Sequence, residues 1–409
     1  MLAVCEISIS GRRVHSHRST ITRIRHLFKN PQVKGTSMWR LGAVVRYKLN
    51  HPYTRGSNNS CITINSDHSI SSSNNNFVSR RNGGRGSCSS TSGENGAMHD
   101  PDISLMLVAP SAACMPLENV RVELSSRYCR AVLPEHEPRV SEIWQARMRH
   151  QPWLYNGSKF RLHSAEMEAD GTLRMRLGLT CYRDFLGTNW AAEARRLQEH
   201  GERDAGSSQA YLAEPLGVGA VLVTADGQGV FLRRSHMVGE AAGQIDIPGG
   251  HPEPKAVAPG GDDERLRPED LQPELVAREL YDSILAEIRD EVNLPLACLS
   301  PPLLMGIARN NTSAGRPSAE FYVRCSLDSE EVRVLYLQGG PEAQESTNIV
   351  FIPRERLSTL ERDSSVWGEL CPSAKGGVRL FSLLGPDLGD DRPWRGGVEL
   401  AGGNTNGTS

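Results

Sequence analysis

Glu287-Ile288-Arg289-Asp290-Glu291 stands near the end of a segment whose apolar residues recur at helical spacing: Ala277, Tyr281, Ile284, Ile288 and Val292. Pro273 ahead of this stripe and Asn293 and Pro295 behind it are start and stop signals, so the pattern predicts one long helix. Each helical residue advances by about 100°, which puts Glu287, Asp290 and Glu291 on the same side. Like charges so close oppose the helix by a few tenths of a kcal/mol, unless a hard divalent cation turns the repulsion into coordination. Glu287 and Glu291, one turn apart, can share such a cation; Asp290, about 100° from Glu291, suits a second ion or a held water. A solvated acidic face is the alternative. Upstream, Pro248-Gly249-Gly250 permits positive φ and close backbone approach, so a carbonyl of that turn could complete the coordination sphere.

Strand patterns surround the helix. The apolar run 217–223, the turn signal Asp226-Gly227 and the run 229–233 read as a hairpin, and 303–308, 319–326 and 349–352 read as later strands. Such alternation implies an α/β sandwich with the acidic helix packed on mixed sheets. Ahead of it, residues 98–210 read as a smaller α+β N-terminal domain that helps bind substrate. Its strands are expected at 103–108, 159–166 and 172–179, its helix at 140–150, and a linker-like helical stretch at 191–210. The main domain would then span 211–384 and a flexible tail 385–409.

The chain has 409 residues and a net charge of −2, which hides an asymmetry. Residues 1–97 carry 14 Lys and Arg against Glu6, Asp67 and Glu94, leaving 32 basic and 45 acidic residues in the remainder. A body that acidic lacks the basic footprint of a nucleic-acid binder, and no apolar run approaches the roughly 18–20 residues of a membrane span. Its polyanion partner is expected to be small and metal-bound. The leader is rich in Arg, Ser and Asn, with SISSSNNN at 69–76, and reads as disordered and basic; either it is a weak mitochondrial presequence or translation starts at Met98, the reading we favour. The nine cysteines form no CxxC pair, which suits reduced thiols in the cytosol or nucleus.

The turn Pro248-Gly249-Gly250 followed by Glu287-Ile288-Arg289-Asp290-Glu291-Val292-Asn293-Leu294 resembles a divergent Nudix box, GX5EX7REUXEEXGU. Ala286 stands in place of the box arginine, Asp290 in place of the first Glu of the pair and Asn293 in place of the last Gly; neither Glu253 nor Glu279 is in register for the first Glu. Gly250 and Glu287 are 37 positions apart where the pattern has 15, an insert of about 22 residues at roughly 255–273. Further stretches carry the likeness: Gln151-Pro152-Trp153-Leu154-Tyr155, Lys159-Phe160-Arg161-Leu162-His163-Ser164, residues 180–190, Asp246-Ile247-Pro248-Gly249-Gly250-His251-Pro252-Glu253-Pro254, Gly306-Ile307-Ala308-Arg309-Asn310 and Cys371-Pro372-Ser373-Ala374-Lys375-Gly376. Together they resemble the animal uridine diphosphate glucose pyrophosphatases of the Nudix superfamily, from about Met98 to Leu384.

That resemblance implies a Nudix α/β/α sandwich and Mg2+-dependent hydrolysis of UDP-glucose or UDP-galactose to UMP and a sugar 1-phosphate, with Mn2+ as the alternative metal. Hydrolysis of another nucleoside diphosphate derivative, or a silent UDP-sugar-binding module, are the competing readings. Attack of water on a diphosphate needs charge neutralisation and an activated nucleophile, and carboxylate-held metal supplies both. Glu287 and Glu291 would hold the metal and Asp290 would assist; the general base is Glu291 or, from the loop 339–345, Glu342 or Glu345. For the substrate, Tyr155 and Tyr182 can stack on or bond uracil, Arg234 can pair with a phosphate, and Gly239 can offer its backbone. Asp246, His251 and Glu253 bracket the glycine turn and suit sugar hydroxyls, while Ser373 and Lys375 could bond phosphate or uracil. A small nucleotide sugar is the partner implied; nothing points to a protein partner.

Overall fold

The computed structural model describes residues 100–111, 114–258 and 265–385. The basic leader, a start at Met98 and the tail beyond Gly385 lie outside the described residues.

The run Gly217–Val223 forms β5, buried along its whole length, as a strand covered on both faces must be. Val218, Ala220 and Leu222 enter one hydrophobic core and Val221 and Val223 another, because successive side chains of a strand point to opposite faces. Around β5 the strands order as β1-β9-β10-β5-β6-β11, where β1 is Ile103–Val108, β6 Gln228–Arg234, β9 Leu303–Asn310, β10 Arg316–Arg324 and β11 Ser346–Pro353. Only β10 and β5 run parallel; the other pairs on this path are antiparallel.

Two helices sandwich this sheet. The acidic segment is the helix Pro273–Val292, whose Val276, Leu280, Ile284 and Ile288 are buried against Val218, Ala220 and Phe321. It ends at Asn293 with φ 64°, the left-handed residue that closes helices and that asparagine tolerates best after glycine. The substitution of Asn for the box glycine therefore keeps the cap. On the opposite face, Pro372–Leu384 buries Ala374, Val378, Leu380 and Phe381 against Val221, Ile247 and Tyr322. The α/β/α sandwich is thus the fold.

The described part of 98–210 contributes to both sheets. β1 is an edge of the large one, while β2 (Val120–Leu124), β4 (Leu173–Cys181) and β3 (Ser158–Met167) form a separate three-stranded sheet in that order. Its Val120, Phe160, Leu162 and Met175 share one core with the acidic helix. Numbering the longer helices in chain order, α1 is Glu137–His150, α2 Tyr182–Gly187, α3 Ala194–Ala205, α4 Pro273–Val292, α5 Ser329–Gln338 and α6 Pro372–Leu384. No described helix is long and apolar enough to cross a membrane.

The hairpin β5–β6 is zipped only near its turn, at Leu222↔Val230 and Val223↔Gly229. Beyond that the strands part. Into the fork come β7 (Ile245–Asp246), paired to β6, and β8 (Gly249–Gly250), paired to β5.

Candidate active site

The fork between β5 and β6 opens into a cleft lined by Gly217, Val218 and Gly219 of β5, Arg234 of β6, and Asp246, Ile247, Gly249, Gly250 and His251 of the inserted turn. Tyr182, Phe185 and Trp190 form an aromatic wall, with Phe185 and Trp190 centroids 5.4 Å apart. Asn310, Arg316, Ser318, Gly239, Glu240 and Ser373 are also among its lining residues.

Behind the glycine turn lies the acid. Glu287, Asp290 and Glu291 are all buried rather than solvated. The main-chain N–H of Gly249 donates to Glu291 Oε2 at 2.9 Å, and that of His251 to Glu287 Oε1 at 3.3 Å. The turn thus presents N–H groups that aim these two carboxylates. Neither glycine takes a positive φ; both extend as strand beside β5. Gly250 is needed for closeness instead, since a Cβ there would overlap the Glu287 carboxylate. Gly250→Ala is expected to push that side chain out of place and weaken divalent-cation binding by at least about tenfold, with thermal unfolding little changed; calorimetric titration with Mn2+ checks it, and unaltered affinity would contradict it.

Among the described residues, one group of acidic side chains converges as a metal site requires: Glu287, Glu291 and Glu342, all buried, with ligand oxygens within 4.8 Å of one another. Three hard carboxylate oxygens fit a divalent cation of oxygen preference. Glu342 comes from the glycine-rich loop after α5, and its N–H donates to the Asp290 carbonyl at 3.1 Å. Asn293 holds the same region, donating from Nδ2 to the Leu335 carbonyl at 2.8 Å. Asp290 itself is turned elsewhere: Arg289 Nε and Nη2 donate to its two oxygens at 2.7 and 2.8 Å. The third place beside Glu287 and Glu291 goes to Glu342, which comes from a different element.

Of the substrate contacts read from sequence, Tyr182, Arg234, Gly239, Asp246, His251 and Ser373 line the cleft. Arg234 and Asp246 pair at 2.7 Å, and Ser373 sits in the first turn of α6, the end of a helix whose free N–H groups can receive an anion. Tyr155, Glu253 and Lys375 fall outside the lining. Tyr155 is half-exposed beneath Lys255; Glu253 accepts from the buried Lys159 Nζ at 3.1 Å; Lys375 is tied to Asp100 and Asp102. Glu279, out of register as a box residue, accepts from the Glu253 N–H at 3.1 Å, and burial pushes its carboxyl up to about 7.

Sequence reasoning missed Arg316 and Glu240. Arg316 Nη2 donates to both Glu240 oxygens at 3.2 Å, Nη1 lies 3.3 Å from His251 Nε2, and Asn310 and Ser313 also donate to Glu240. The Glu240 signal was its place beside Gly239; Arg316 had none, standing before a proline that reads as a turn.

No family model matches the chain. The human protein named uridine diphosphate glucose pyrophosphatase NUDT22 is 53% identical over 289 residues, 70% of this chain and 94% of that protein. Nudix hydrolase 9 of Arabidopsis thaliana is 33% identical over 295 residues, 68% of this chain and 90% of its own length. Among solved structures, the MutT protein from Methanosarcina mazei Go1 is similar over 43% of this chain and 95% of that one, at 15% identity and a TM-score of 0.27, and adds no weight to the sequence relatives.

Proposed function

This chain belongs to the Nudix hydrolase family, and on that premise we propose that it hydrolyses UDP-glucose, UDP-galactose or both to UMP and a sugar 1-phosphate, using Mg2+ or Mn2+. The observation that carries this reading is the buried trio Glu287, Glu291 and Glu342 directly behind a glycine turn that floors a cleft. A divalent cation held there would neutralise the diphosphate and make water a better nucleophile. The chain's own groups do the rest. Arg234 and Arg316 draw in the phosphates, assisted by Ser373 and the first turn of α6. Tyr182, with Phe185 and Trp190, offers the flat wall a uracil needs. Asp246 and His251 face the sugar hydroxyls. Glu291 and Glu287, aimed by the N–H groups of Gly249 and His251, would hold the cation, and Glu342, the third carboxylate of the trio and carried on a loop, would take the proton of the attacking water instead of binding the ion. Scattered cysteines support a reducing compartment, cytosol or nucleus.

The full chain incubated with Mg2+ and a panel of nucleoside diphosphate sugars is expected to release UMP from UDP-glucose or UDP-galactose in preference to the other members. Binding without turnover would favour a silent module. Faster cleavage of a different nucleotide would move the substrate while keeping the chemistry.

A further inference from the structure

Glu320 is fully buried in the middle of β10, and neither carboxylate oxygen makes a hydrogen bond of good geometry among the described residues. A charged group so placed is among the most costly a protein interior can hold. Its surroundings are shaped to keep it there. A Cβ on Gly219 would overlap Glu320 Oε2, and one on Gly377 would come within 3.3 Å of the same atom, so the two glycines make room for the carboxyl between sheet and α6.

The carboxyl lies just behind the cleft, since Gly219 lines it, as do Ser318 and Arg316, two and four positions back on the same face of β10. Arg316 is itself buried, with Nε lacking a partner among the described residues. Other charged groups face Glu320 sparingly. β5 brings none along Gly217–Val223, β7 brings Asp246, itself paired with Arg234, and α6 brings Lys375 in its first turn, held by Asp100 and Asp102, with the Cys371 thiol just ahead of the helix pushed well up by burial. Burial first and Asp246 second raise the Glu320 carboxyl; Ser318 and Arg316 ease it down; the balance holds it up at about 8.

We infer that Glu320 is a proton-linked sensor of the cleft: when an anionic nucleotide seats against Arg316 and Arg234, the carboxyl takes one proton from solvent and is a neutral acid in the complex. The inference rests on the nucleotide reading of this cleft. Arg316 is the positive charge that lets Glu320 ionise, and phosphate brought up to it cancels that influence. By linkage, ligand and proton must then favour one another.

UDP is the probe, titrated calorimetrically into the full chain between pH 7 and 9.5 in buffers of different ionisation enthalpy. Binding is expected to take up a fraction of a proton near pH 8.5, and affinity to fall up to about tenfold for each pH unit above 8. Glu320→Gln, isosteric with the neutral acid, should bind at pH 7 as the unmodified protein does and lose both effects. Equal uptake in the two proteins overturns the inference alone, whereas absence of any UDP binding overturns the nucleotide reading and this inference with it. Infrared difference spectra of the unmodified protein at pH 8.5 read the same proton without a substitution. UDP should bring up the band of a protonated carboxyl, and its absence counts against the inference.

Discussion

Glu291→Gln is expected to lower kcat on UDP-glucose by about a hundred- to a thousandfold while making the metal-free protein more stable by about 1 kcal/mol. Both follow from one fact: three buried carboxylates share a space of under 5 Å, at 4.8 Å or less between ligand oxygens. With a cation present their charge is the site. Without one it is repulsion inside a poorly solvated pocket, and exchanging one carboxylate for an amide relieves it. The amide still accepts from the Gly249 N–H, so the turn keeps its place. Asp290→Asn is the internal control. Its carboxylate is engaged by Arg289, so kcat should change by no more than a few-fold. Steady-state kinetics together with melting curves in EDTA and in Mg2+ decide the matter. A Gln variant that melts no higher in EDTA and gains as much from Mg2+ as the unmodified protein would show that these carboxylates are not the metal site.

Arg309→Met is expected to cost about 3 kcal/mol of folding stability, the largest such effect foreseen outside the site. Glu214 is wholly buried and accepts from Arg309 Nη1 at 2.8 Å and Asn189 Nδ2 at 2.9 Å. Its carbonyl accepts from Leu162 of β3, whereas Arg309 belongs to β9, so the ion pair pins the small sheet to the large one. Removing the arginine leaves the carboxylate buried without its cation. The sign of the pH dependence follows. Burial already raises the Glu214 carboxyl, with Arg309 the strongest opposing influence, and the variant would raise it further. A carboxyl raised on folding destabilises the fold progressively as pH climbs from its unfolded value toward its folded one. The shortfall should therefore be greater at pH 8 than at pH 5. Urea unfolding at the two pH values measures it, and a deficit that grew toward pH 5 would refute this account.

These outcomes bear on residues of unequal visibility in the sequence. Helix α4 is legible almost to the residue because its apolar stripe, Pro273 and Asn293 are all local signals. β5 is legible as an unbroken apolar run. By contrast α6 contains Gly376 and Gly377, which read as helix breakers. They are there because a Cβ at the first would crowd Ala308 and at the second Ile247, both on the sheet side. Arg316 and Pro317 look like a turn but begin β10. The proline is tolerated because pairing with β5 starts only at Ser318↔Gly217. Within the site, Glu287 and Glu291 declare themselves by periodicity. Glu342 can be suspected from its loop, but only folding brings it to them, 51 positions along the chain. Asp290 shows the reverse: adjacency in sequence put it beside the others, and a side-chain torsion toward Arg289 took it out.

The insert between turn and helix bears on how this fold can grow. Its described part is anchored: Leu271 is buried in the core, and Glu269 accepts from both the N–H and the hydroxyl of Ser126 beside the small sheet. Stretching the connection from 15 to 37 positions raises the entropy of ring closure by only about 0.8 kcal/mol, since that penalty grows with the logarithm of length. Two or three such polar and apolar anchors recover it. Length in this loop is thus nearly free for the lineage to vary, provided that the two ends still meet where the His251 N–H reaches Glu287, 3.3 Å away.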